Sequence, residues 1–149
     1  NAAARSDMAC GSMMAGLTMN ISDCTAEHSL GQAIGGMFHV PHGLTIGLVL
    51  VETLERERQH VPEQLERVAD AMGVAPGGAQ DGKRAVEAVR KLLVDLDFPV
   101  FASLGVTTAQ IDELTTLALD DYFITESPHP WTDVEVREAF TTALEVTER

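Results

Sequence analysis

The chain has 149 residues, enough for one domain with a buried core, and 23 acidic against 10 basic residues give a net charge of −13. Such a surface repels phosphate backbones and anionic lipid headgroups, which argues against nucleic-acid and membrane-surface binding. With 45% apolar but only 5% aromatic residues, the composition suits helices rich in Leu, Ala, Val and Met better than a β-sandwich.

The opening Asn1-Ala2-Ala3-Ala4, without a methionine, is expected of the interior of a longer protein. From Ala2 to about Met19, Ala, Met and Leu recur at helical spacing with hardly any charge, which predicts a buried helix. No signal peptide is expected, because Arg5 and Asp7 precede a stretch with no h-region. Cys10 and Cys24 belong to no zinc-type spacing; they are expected to be buried thiols in a reducing cytosol, with a disulfide between them left open. A second helix runs from Cys24 or Thr25 to Phe38, with Thr25 as its N-cap. Pro41 breaks the pattern, and His42 or Gly43 opens a third helix to about Arg58. Its apolar run from Leu44 to Val51, interrupted by Thr45, is far shorter than the ~20 residues of a membrane span.

Val61 to Met72 is amphipathic, opened by Pro62 and stopped by Gly73. Ala75 to Gly82 is the clearest loop. Asp81 to Asp97 is helical, with Ala85, Val86, Val89, Leu92, Leu93 and Leu96 predicted on the core side, and Pro99 closes it. Thr107-x-x-Gln110 and Thr132-x-x-Glu135 fit the capping box and open helices to about Asp121 and Thr147. The expected fold class is all-α, a bundle of about seven helices.

Chemistry concentrates in one stretch, from His28 through Gly31, Gly35, Gly36 and Phe38 to Val40-Pro41-His42-Gly43. Imidazole is the commonest protein ligand for divalent metals, and a helix corner of this kind can bring His28 and His42 together. Spacing alone favours two ordinary histidines at a helix corner, and two imidazoles do not complete a zinc or iron site. His39 is expected on a cleft wall or the surface, and His60 in solvent among charges. His129 is expected on a structural turn with Trp131 as a packing anchor. Methionines 8, 13, 14, 19, 37 and 72 read as core filling, and Glu52–Glu57 and Glu63–Glu66 as solvated helix faces. Asp23 and Glu27 are the acids nearest His28 in sequence.

The two histidines, with Val-Pro-His-Gly leading into an apolar helix, resemble the C-terminal helical domain of the iron-containing (group III) alcohol dehydrogenases. Weaker likenesses extend over nearly the whole chain. Met8 to Ala26 resembles the family's small-residue helix before the first histidine, and Glu66 to Val74 its A-x-x-x-G helix end. Val86 to Pro99 resembles its I-x-x-L-x-x-L-G-x-P helix, Leu104-Gly105-Val106 its L-G-V corner, and Glu126 to Thr132 stands where members often carry N-P-R-P-x-T.

The resemblance implies that His28 and His42 bind a divalent metal, Fe2+ or Zn2+. It implies that two further ligands, an Asp and a His, come from a helix preceding this chain, and that NAD or NADP binds a missing N-terminal nucleotide-binding domain. Gln32 replaces a second histidine that many members carry four residues after the first. Gln32 and Phe38 are expected to line the cofactor and substrate cleft, and no residue of this chain is assigned as catalytic. A small alcohol or aldehyde substrate, a cytoplasmic setting and a homo-oligomer such as a dimer are also expected. The chain alone is expected to be inactive. Two alternatives stay open. One is a maleylacetate reductase-like enzyme, whose members often have Ala where Gly43 stands. The other is a non-catalytic helical assembly domain with a vestigial metal site.

Overall fold

In a computed structural model, residues 1–146 are described, so the predicted helix end at Thr147 lies outside the described residues. Seven α-helices appear in order: α1 (Ala2–Ser22), α2 (Ala26–Phe38), α3 (His42–Glu57), α4 (Pro62–Ala71), α5 (Lys83–Asp95), α6 (Thr108–Leu119) and α7 (Asp133–Glu145). Two 3-10 turns, Phe101–Leu104 and Tyr122–Glu126, join the later helices, and the described residues contain no strand. No helix among them is long and apolar enough to cross a membrane.

Helix α2 shows how sequence makes the core. Ala26, Ser29, Leu30, Ala33 and Ile34 recur at helical spacing and are buried together, so one face of the helix meets α3 and α6. Burying a side chain such as Leu30 or Ile34 contributes about 1.5–3 kcal/mol. The helix stops where His39 takes a left-handed conformation (φ 53) and its N–H bonds the Gly35 carbonyl at 2.9 Å. Pro41 then precedes the first turn of α3, and the Thr45 hydroxyl donates to the His42 carbonyl at 2.8 Å.

The two helices meet closely at Gly31. A Cβ there would collide with the Ile46 side chain and stand 3.3 Å from both the Ile46 backbone nitrogen and Thr45 Oγ1. Gly36, in the same glycine-rich stretch, has open space where a Cβ would be. Phe98 lies against Gly47 in the same way and carries the end of α5 onto α3. The main core joins α2, α3, α6 and α7 with Phe101 and Trp131, while α4 and α5 add smaller clusters around Ala69, Ala85 and Val86.

Both predicted capping boxes are present, at Thr107–Gln110 and Thr132–Glu135. Several burial expectations are corrected. None of the residues of α1 is buried, and Met8 (74% exposed), Met13, Met14, Leu17 and Ile21 (88%) face outward. Periodicity identifies an apolar helix but not its partner, and no other element among the described residues covers this one. Cys10 is therefore exposed, Cys24 is buried, and both are free thiols. Of the methionines, only Met37 packs against the main core; Met72 is 40% exposed. Leu92 and Leu96 face solvent because the contact of α5 runs along Ala85, Val86 and Leu93.

Two carboxylates assigned to solvated faces are buried instead, each because it has partners. Glu66 accepts from the Gly82 N–H at 2.9 Å and pairs with Arg84, whose other nitrogen reaches Asp70 and the Val74 carbonyl, both at 2.8 Å. Glu57 accepts from Trp131 Nε1 at 2.9 Å. Beside it, the His129 ring lies between two carboxylates, with Nδ1 3.5 Å from Glu57 and Nε2 3.5 Å from Glu135. Exposed His60 stacks on that ring, with centroids 3.9 Å apart, and Trp131 is the expected packing anchor of the turn.

Two predictions follow from these contacts. Gly31→Leu is expected to force α2 and α3 apart and lower stability by about 1–3 kcal/mol, read as a shifted denaturant midpoint. An unchanged midpoint would remove the close approach from the account. The Glu135 carboxyl is held below the usual carboxylate range by the Thr132 backbone N–H and hydroxyl, with His129 adding to the pull. Its contribution is therefore present above the unfolded-state pKa and is lost as pH falls through the lower folded-state value. Thermal unfolding of Glu135→Gln between about pH 3 and 7 is expected to lose less stability on acidification than the parent protein; parallel curves would contradict this.

Candidate metal centre

The corner between α2 and α3 brings together the two histidines that the sequence singled out. The centroids of the His28 and His42 rings are 5.4 Å apart and the planes are inclined at 46°. Imidazoles sharing one ion at nitrogen–metal distances of about 2.0–2.1 Å place their centroids roughly 4.5–5.5 Å apart. The pair therefore fits a common divalent ion. His42 is exposed at the first turn of α3, and His28 is half-buried near the start of α2.

Several contacts hold His28 in place. Its Nδ1 lies 3.0 Å from Glu27 Oε1, and the other Glu27 oxygen accepts from the Thr25 hydroxyl. Thr25 occupies the N-cap position without capping through its side chain, since its hydroxyl is committed to Glu27. Phe123 meets the His28 ring edge-on at 6.0 Å between centroids. Behind the ring, the Ser29 hydroxyl donates to Asp121 at 2.7 Å, and Asp121 also accepts from the Phe123 N–H at 3.0 Å. The Ala26 N–H donates to Ser127 Oγ at 2.9 Å. The Tyr122–Glu126 turn thus clamps the first turn of α2.

Cys24 does not supply a thiolate here. Burial pushes its thiol up, and the Glu27 and Asp23 carboxylates push it further, so it stays protonated at neutral pH. Among the described residues no group of three or more His, Cys, Asp or Glu side chains is placed to hold a metal, so these residues bring two imidazoles together without a complete ligand set.

The other expected residues fall as follows. Gln32 is exposed on α2 one turn beyond His28, and Phe38 is half-buried, packed against the main core. His39 is exposed and serves as the helix stop. Phe123 and Asp121 were missed from sequence, being about a hundred residues from His28, while Ser127 lies in the Glu126–Thr132 stretch that the resemblance had marked. No local pattern could have found them, although Asp121 and Ser127 are short polar residues of the kind that tie loops to helix ends.

Residues 1–144 match the Fe-containing alcohol dehydrogenase family, C-terminal. The chain belongs to this family. It is 26% identical to the 1,3-propanediol dehydrogenase of Citrobacter freundii over 97% of its own length and 38% of that protein. It is 30% identical to maleylacetate reductase 1 of Rhodococcus opacus over 84% of its length and 31% of that enzyme. A crystal structure of 1,3-propanediol oxidoreductase superposes with a TM-score of 0.92 at 25% identity, covering 96% of this chain and 38% of that one. The all-α architecture is thus that of the C-terminal domain of these family members, and the chain spans well under half their length.

The clamp behind His28 has a measurable strength. Asp121→Ala strands the Ser29 hydroxyl, 1% exposed, and is expected to cost about 1–3 kcal/mol in denaturant unfolding. Adding Ser29→Ala to it is expected to cost less than the sum of the single changes. Strict additivity would show that the two side chains act independently.

Proposed function

We propose that this chain is the helical, metal-holding part of an NAD(P)-linked alcohol dehydrogenase, in which His28 and His42 bind one divalent ion, iron or zinc. The carrying observation is the 5.4 Å approach of the two rings in a chain of the Fe-containing alcohol dehydrogenase family. When bound, such an ion supplies Lewis acidity to a substrate hydroxyl or carbonyl oxygen. Each histidine gives one neutral ring nitrogen to the site. Gln32 donates and accepts hydrogen bonds at the cleft without titrating near neutrality, so it orients nicotinamide or substrate rather than relaying a proton. Phe38 adds an apolar wall.

Two imidazoles are too few for a zinc or iron site, and the remaining ligands and the nucleotide site belong to an N-terminal part that the family members' greater length accommodates. Helix α1 gives that part a seat. Its exposed Met8, Met13, Leu17 and Ile21 form an apolar surface of the sort that marks an interface. Its only charges are Arg5 and Asp7, which cancel in a chain otherwise strongly acidic. A maleylacetate reductase-like activity is the second reading, favoured by the likeness to the Rhodococcus opacus enzyme.

Metal analysis of the full-length protein tests this reading. One equivalent of iron or zinc per chain is expected, lost in His28→Ala and in His42→Ala while the helical circular dichroism persists. A metal-free parent protein with an intact fold would favour a helical assembly domain instead. The 149-residue chain alone is expected to show no NAD(P)-dependent turnover, and measurable turnover would falsify its dependence on a missing part.

A further inference from the structure

We propose that Glu27 is a positioning residue for His28, selecting the imidazole tautomer and rotation in which Nε2 offers its lone pair to the metal. The proposal rests on the reading that His28 and His42 share a divalent ion.

An ionised carboxylate only accepts hydrogen bonds, so the 3.0 Å contact between Glu27 Oε1 and His28 Nδ1 requires the proton to sit on Nδ1. A neutral ring with its proton there has its free lone pair on Nε2 alone. Glu27 is itself restrained, because the Thr25 hydroxyl donates to its second oxygen. The relay therefore runs from Thr25 through Glu27 to His28 within four consecutive residues, and all three are half-buried. Phe123 against the ring edge restricts the rotation that would break it. Among the described residues His42 has no such carboxylate hydrogen bond; its first-turn position on α3 sets its direction instead.

A carboxylate on the far nitrogen of a metal-binding histidine fixes the tautomer and raises the basicity of the ligating nitrogen, and losing it typically costs 10–100-fold in metal affinity. Glu27 fits that task better than ligation itself. Its Oε1 is committed to the His28 ring and its Oε2 to Thr25, so neither oxygen is free to bind the ion without breaking the relay.

The test uses the metal-stripped full-length protein, titrated with Zn2+ against a chromophoric chelator, together with nitrogen NMR of histidine-labelled apo protein. Glu27→Leu is expected to weaken Zn2+ binding about 10–100-fold at unchanged stoichiometry, and to shift the His28 proton from Nδ1 towards Nε2. Glu27→Gln, whose amide oxygen still accepts from Nδ1–H, is expected to restore most of the affinity and the parent tautomer. Unchanged affinity and tautomer in Glu27→Leu would overturn the proposal. So would a loss of stoichiometry equal to that of His28→Ala, since Glu27 would then be a ligand. His28→Ala run in parallel separates the two levels: if it keeps full Zn2+ stoichiometry, the shared-ion reading itself falls and carries this one with it.

Discussion

The missing side chain at Gly31 is the constraint on which the rest of the site depends. It lets Ile46 and Thr45 of α3 lie where a Cβ would otherwise stand, so the two helices leave the Pro41 corner nearly in contact. Separation at that point propagates to the ends of both helices, where the histidines are. The corner itself is fixed by two different backbone devices. His39 ends α2 in a left-handed conformation that few side chains adopt willingly, and Pro41 prevents the helix from running on. The 5.4 Å approach of the His28 and His42 rings is thus a consequence of how closely two helices pack.

His28 and His42 are positioned unequally. His42 stands in solvent at a helix start, with local backbone geometry as its main restraint. His28 is held from two directions, by the polar relay on its own helix and by the 121–127 segment behind it. At the opposite end of α3, Glu57, Trp131, His129 and Glu135 form a second polar cluster that ties the last turn to the core. That cluster joins elements, and its Glu57 lines one cavity with Thr25 and Glu27. Buried polar contacts thus gather in two places, at the last turn of α3 and around His28.

Helix number, order and most boundaries were legible because each helix carries its own period and its own stop signals. Thr107–Gln110 and Thr132–Glu135 were readable for the same local reason, as was the Pro41 break. Burial was less legible. Glu57 and Glu66 look like solvated glutamates until Trp131 and Arg84, far along the chain, supply their partners. Leu92 and Leu96 show the converse error, in which apolar residues near the edge of a stripe miss the contact. At the site, the histidine pair was visible in the sequence, whereas Phe123 and Asp121 were not, because their proximity to His28 exists only after α2 and the 121–127 turn have met.

The uncovered α1 has a consequence in redox chemistry. Met8, Met13, Met14 and Met19 all present their thioethers to solvent, at exposures from 46% to 74%. Peroxide converts an exposed thioether to a polar sulfoxide, and only a reductase reverses the change. A sulfoxide at any of these positions would leave the packing of the other six helices untouched while turning an apolar face of α1 polar.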